Sequence, residues 1–222
     1  NSSFSNPNFT IEKFLHANVQ KAVEKFRKDN NIFPQTIIFM RDGVSFGDRK
    51  RVRETEIVAV RQALEELKQR CNVTHDFNVV FVTANKTCGA KFFLSNNPND
   101  PNALGNPVPG TYVHQMVTDN ESEFYLVSQQ TRKGLASPTN YFILENDLTA
   151  RLNVPVAQVR DLIALLVFKL AYMYYNTVGS IKIPAPIHYA HKLSFMIGDK
   201  SSATDKIIPH QYLAEILSLY FI

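Results

Sequence analysis

The sequence predicts an α/β fold, in which a parallel core is joined to antiparallel hairpins, on three observations. Two short apolar runs, Ile37–Met40 and Asn78–Thr83, bracket a helical pattern over Glu54–Arg70. A strand–helix–strand order implies parallel pairing through a right-handed crossover. The segments Thr111–Val117 and Glu123–Ser128 alternate in polarity, as antiparallel strands with one solvated face do. Finally, 45% of the 222 residues are hydrophobic and 20% charged, enough apolar surface for a large core and too much for wholesale disorder. That length suits one domain, or one and a half.

The elements follow in order. Ile11, Leu15, Val19, Ala22, Val23 and Phe26 recur at helical spacing, with Lys13, Lys21, Glu24 and Lys25 filling the other face. After the punctuation of Pro34, the continuous run Ile37-Ile38-Phe39-Met40 suits a strand buried on both faces. It stops at Arg41-Asp42-Gly43. The next helix places Ile57, Val60, Leu64 and Leu67 on one side, and the strand over 78–83 reads as buried too. Clusters of Asn, Pro and Gly over Ser95–Pro109 mark a surface loop. Tyr141–Leu144 is the expected neighbour of the hairpin. Arg160–Tyr175 is apolar nearly all round, which predicts a deeply buried helix. Ile187–Met196 reads as helix or turn, and Pro209–Ile222 as a short amphipathic helix. No internal repeat is visible.

Lys plus Arg exceed Asp plus Glu by 24 to 20, a mild basic excess that permits a polyanionic partner without requiring one. Cys71 and Cys88 cannot build a disulfide scaffold and fit no zinc spacing. They read as reduced, buried thiols of a cytoplasmic or nuclear protein. No signal peptide is expected, and the longest apolar stretch, Leu162–Tyr175, is broken by Lys169 and too short to span a bilayer, so no membrane association is expected either. The five Asn-X-Ser/Thr sequons, the first at Asn1 and the last at Asn120, then read as chance matches. The start at Asn1, running almost at once into a helix pattern, reads as a fragment.

Three places could carry chemistry. Asp42 closes an apolar strand and precedes Gly43, where open α/β sheets bind ligands; its oxygens suit Mg²⁺ or Mn²⁺, but Asp-Gly is also a common turn dipeptide. His188 and His191, at i and i+3, can share a helix face, either as metal ligands or as satisfied structural histidines. The basic run Arg49-Lys50-Arg51, with Arg41 and Arg53, lies at a helix start, where cations oppose the helix dipole; it serves an anionic ligand or simply faces solvent. Lys86, Lys91, Arg132 and Lys133 lie at strand ends or in loops and gain meaning only if they converge in space.

Taken together, these segments resemble the C-terminal part of the PIWI domain of Argonaute/Piwi proteins. Ile37-Ile-Phe-Met-Arg-Asp-Gly-Val-Ser-Phe-Gly47 resembles the family's strand plus Arg-Asp-Gly-Val-Ser signature. The stretch from Phe124 to Tyr141, containing Gln-Thr-Arg-Lys-Gly-Leu-Ala-Ser-Pro-Thr-Asn-Tyr, is similar to its nucleic-acid-contacting loop. Ile183-Pro-Ala-Pro-Ile-His-Tyr-Ala-His-Lys-Leu193 resembles its closing motif. The Ser-Pro-Thr-Asn-Tyr and Ala-His-Lys-Leu wording lies nearer the Piwi branch. The resemblance spans nearly all of 1–222, in order and with fitting spacings, and makes this chain a partial PIWI domain.

The resemblance implies a ribonuclease H-like fold, incomplete here because the first strands of the sheet are absent, that holds a guide small RNA paired to a complementary target RNA. Family members that cleave use three carboxylates and a final Asp or His around two divalent metals, Mg²⁺ or Mn²⁺. Two metals about 4 Å apart can activate a water and stabilise the leaving oxygen. By resemblance, Asp42 matches the second aspartate and His191 the closing histidine, both as metal ligands. Lys86, Lys91, Arg132 and Lys133 fall at or near positions that touch nucleic-acid backbone, Lys86 most directly. The first aspartate lies on an earlier strand outside this chain. For the mobile glutamate, ungapped spacing gives Thr10, and Glu12 is the nearest carboxylate; either the register slips to Glu12 or the glutamate is lost. Phe46 stands where an acidic residue is usual, and His114 replaces a common aspartate. The intact parent is therefore expected to cleave target RNA, and the fragment alone to be inactive and poorly stable. The alternatives are a guide-dependent silencing protein that binds without cleaving, and an interaction domain on a degenerate nuclease-like fold with no RNA affinity.

Overall fold

The structure, a computed structural model, describes residues 10–95, 104–115, 117–118, 120–131 and 134–203. The chain divides into two compact units, residues 1–83 with 142–159, and residues 84–141 with 160–222. No helix among the described residues is long and apolar enough to cross a membrane.

In the first unit, α1 (Ile11–Asn30) begins at Thr10, whose extended backbone and side-chain oxygen, accepting from the Lys13 amide at 3.4 Å, form the N-cap. Its buried residues Val19 and Val23 pack with Val60, Ala63, Leu64 and Leu67 of a second helical segment and with Val79. That segment runs without interruption through α2 (Arg49–Val52), a π-helical turn (Arg53–Ile57) and α3 (Val58–Cys71). It starts earlier than the expected Glu54, and the π turn rotates Glu56 as well as Ile57 into the core. The non-glycine residues with positive φ among those described are Asn31, Asn72 and Asn153, each just past a helix. Asparagine tolerates the left-handed cap conformation, so each marks a helix end.

The strands of this unit are β1 (Thr36–Asp42), β2 (Asn78–Asn85) and the 142–146 part of a later strand, adjacent in that order. β2 is buried along nearly its whole length, as its composition predicts. β1 is not: each of its residues is half-buried, because it ends the row of strands and has a neighbour on one side. A continuous apolar run reports hydrophobicity, not a second covering layer. Val44, Val52, Ile57, Phe81, Phe142 and Leu144 form a second core cluster, against which Phe39 stacks on Phe81 at 5.8 Å. Arg61 bridges to Glu145 at 2.6 Å and Asp147 at 2.7 Å, and Asp147 also accepts from the Val79 amide, tying α3 to both strands. The short α4 (Leu148–Leu152) follows.

In the second unit, two-residue strands β3 (Leu94–Ser95) and β4 (Leu104–Gly105) pair antiparallel within the expected loop. β5 (Thr111–Val113) pairs antiparallel with β6 (Glu123–Val127), Thr111 opposite Val127, and β7 (Thr139–Asn146) lies next to β6, as anticipated. Phe124 and Tyr141, both fully buried, stack at 5.0 Å. Gly110 turns the chain into β5 at φ +93°, and a Cβ there would meet the Phe168 ring at 3.2 Å. Beyond it, α5 (Val156–Leu170) begins before Arg160 and stops before Tyr172. It buries Val159, Ile163, Ala164 and Val167 but exposes half of Leu162 and Leu165, so it is not enclosed all round. Arg160, 5% exposed, is held by Tyr112, Asp161 and the Glu121 carbonyl. α6 (Ala185–Ala203) starts just after Pro184. The expected terminal helix over 209–222 lies outside the described residues. Cys71 and Cys88 are free thiols, each half-buried rather than fully so.

Candidate nucleic-acid interface

The end of β2 and the start of α6 bring a set of cations together in the second unit. Hydrogen bonds fix the strap before α6: the Ile181 amide donates to the Ala171 carbonyl at 2.9 Å, and Thr139 Oγ1 donates to the Lys182 carbonyl at 3.1 Å. Lys182, half-buried, donates from Nζ to Ser137 Oγ at 3.0 Å. Burial pulls its pKa below the ordinary lysine value; nearby Cys88 opposes this, and Lys91 and Lys86 add to it. One helical turn on, His188, His191 and Lys192 occupy i, i+3 and i+4 of α6 and so share a face. Lys86 Nζ lies 3.1 Å from His191 Nε2. Burial lowers the pKa of His188, reinforced by Lys192, His191 and Lys86. The ring of Tyr174 meets His188 edge-on at 4.5 Å and takes the Lys192 ammonium 4.9 Å from its centre.

Lys86 therefore lies close to both histidines and to Lys182, and Lys91 close to Lys182. Reading the sequence named Lys86 and Lys91 and passed over Lys182 and Lys192. Their signal was faint: Lys192 lies four residues after His188, and Lys182 sits two residues before Pro184. Arg132 and Lys133 lie outside the described residues.

Asp42 and Glu12 belong to the first unit. Asp42 ends β1, half-buried, and Gly43 after it takes φ +68°. The preceding Arg41 donates from Nη1 to the Asp42 carbonyl at 2.8 Å and from Nε to Glu56 at 3.1 Å, so the backbone at Asp42 is held from within the unit. Glu12 stands in the first turn of α1. Its own backbone N–H, then Thr10, then Arg51 lower its pKa. Its carboxylate thus serves the helix start, where negative charge is favoured.

A carboxylate and an imidazole are suitable donors for a hard divalent ion. Among the described residues, however, no three His, Cys, Asp or Glu side chains gather closely enough to hold a metal.

The Piwi domain family matches residues 3–201. The chain belongs to the Piwi domain family. It is 31% identical to Protein aubergine of Drosophila melanogaster over 190 residues, 85% of this chain and 20% of that protein. It is 32% identical to Piwi-like protein Siwi of Bombyx mori over 213 residues, 96% of this chain and 21% of that protein. Among solved structures, Drosophila Piwi superimposes with a TM-score of 0.68 at 29% identity, over 84% of this chain and 24% of that one. Kluyveromyces polysporus Argonaute with a guide RNA shares the fold at 22% identity, TM-score 0.69, over 86% of this chain and 23% of that one. This Piwi domain chain thus spans about a fifth of the length of the curated relatives it matches. Its mixed α/β architecture is the ribonuclease H-like one expected.

Proposed function

We propose that this chain is the part of a small-RNA-guided silencing protein that grips RNA by its backbone and, in the intact protein, contributes to metal-dependent cleavage of the target RNA. The observation that carries the reading is the meeting of Lys86 and Lys192 at His188 and His191 in a Piwi domain, with Lys86 and Lys91 also close to Lys182. Ammonium groups forced together repel one another, and a row of phosphates relieves that repulsion while releasing its own counterions. Phosphate contacts set register without reading sequence, so a guide strand is left to choose the target by base pairing. Guide RNA and complementary target RNA are the proposed partners, with Arg132 and Lys133 as further backbone contacts.

For cleavage, Asp42 and His191 would each offer a ligand to Mg²⁺ or Mn²⁺, with Glu12 as the candidate glutamate and the family's first aspartate outside this chain. The bound metal supplies Lewis acidity to the attacking water and the leaving oxygen. The test is Asp42→Ala in the full-length, guide-loaded protein, assayed on a guide-matched RNA with Mg²⁺ or Mn²⁺. Cleavage should vanish while RNA binding persists; undiminished cleavage would remove Asp42 from the chemistry. A second reading, guide-dependent binding without cleavage, is favoured by the use of Glu12 at the start of α1. It expects the wild-type protein to bind the matched RNA and leave it intact.

A further inference from the structure

The loop after Asp42 carries an exposed aromatic ring. Phe46 is 83% exposed, yet it is not loosely held. Ser45 Oγ donates to Asp48 Oδ2 at 2.6 Å, the Asp48 amide returns to Ser45, and the Arg49 amide donates to the Phe46 carbonyl at 3.3 Å. The Arg49 guanidinium lies 5.1 Å from the centre of the Phe46 ring and 3.8 Å from that of Phe142, itself part of the core beneath. An aromatic, a guanidinium and a second aromatic therefore stack outward from the core and end on a ring facing water. Arg49, Lys50, Arg51 and Arg53 follow Phe46; Arg51 pairs with Asp48 at 3.4 Å and Lys50 with Glu54 at 3.8 Å, both exposed ion pairs that a phosphate can replace. Lys50 and Arg51 are both exposed.

We propose that Phe46, carried on the Arg49–Phe142 stack and flanked by Lys50 and Arg51, is a stacking platform for an unpaired base of an RNA strand. This rests on the RNA-binding reading. A π-face beside cations matches the two chemistries that a single strand offers, base faces and phosphates. The pre-held ring loses little freedom when a base settles on it.

The test measures fluorescence anisotropy of the full-length protein with two labelled single-stranded RNAs of equal length, one with all bases and one with abasic sites. Phe46→Ala should weaken binding of the base-bearing strand about 5- to 160-fold, the range for loss of one base–aromatic stack. It should leave the abasic strand and the salt dependence unchanged, and Phe46→Trp should restore wild-type affinity. Wild-type affinity of Phe46→Ala for the base-bearing strand would overturn the proposal, and so would an equal loss on both strands. Failure of the wild type to bind either RNA would overturn the RNA reading itself, and this inference with it.

Discussion

Glu56 is 1% exposed, and it brings a carboxylate into the core of the first unit. One of its oxygens takes the Arg41 Nε–H at 3.1 Å. The other has no hydrogen-bond partner among the described residues. A buried charge persists only when it is paired, and removing one partner strands the other. Arg41 does two jobs at once, since it also holds the Asp42 carbonyl. Arg41→Ala should therefore lower stability by roughly 3 kcal/mol, the low end for a broken buried pair, because its own side chain is 39% exposed. Urea unfolding checks this, and Arg41→Ala combined with Glu56→Gln should recover part of the loss. An unchanged midpoint for Arg41→Ala would mean that water already solvates Glu56. Nothing in the sequence distinguished Glu56 from Glu54 or Glu65, which face solvent. Only the π turn, which shifts the helical phase, selects it.

At the scale of elements, the helices were legible where an apolar stripe repeats: Val19 with Val23, and Ile57, Val60, Leu64 and Leu67, are buried as their spacing predicts. The depth of β1 and of α5 was not, because hydrophobicity does not say what packs against a face; Leu162 and Leu165 stay half exposed despite their composition. Asp42, Lys86 and His191 stand out in the sequence because motifs carry them, whereas Lys182 acquires its neighbours only through the fold. α6 makes this concrete. His188 packs on Tyr174, and burial lowers its pKa below the ordinary histidine value near 6.5, with Lys192 and His191 on its own helix and Lys86 beyond β2 adding to the shift. The unfolded chain then takes up a proton at a pH where the folded one does not. The contribution of His188 to stability is complete above about pH 6.5 and is lost as pH falls toward its depressed value. Thermal melts from pH 7.5 to 5.5 should show this acid loss reduced in His188→Asn, and NMR should place the His188 midpoint below that of a free histidine. A midpoint above it would refute the packing of His188 on Tyr174.

Across the whole molecule, a net charge of +4 on 222 residues is too mild to make a general polyanion binder. Whatever RNA affinity the chain has must come from where its cations sit rather than from how many there are, and that separates local from diffuse electrostatics experimentally. Each ammonium that neutralises a phosphate of a single strand adds about 0.7 to the slope of log affinity against log salt. Lys86 and Lys192 converge on the same two histidines, so Lys86→Gln and Lys192→Gln should each reduce the slope by about 0.7 in the full-length protein bound to single-stranded RNA. Lys25 is the control: it is exposed on α1 and paired with Asp29 at 2.6 Å, so Lys25→Gln removes the same formal charge and should leave the slope alone. Equal effects from all three substitutions would show that RNA senses only net charge, and would take the lysine–histidine gathering out of the binding surface.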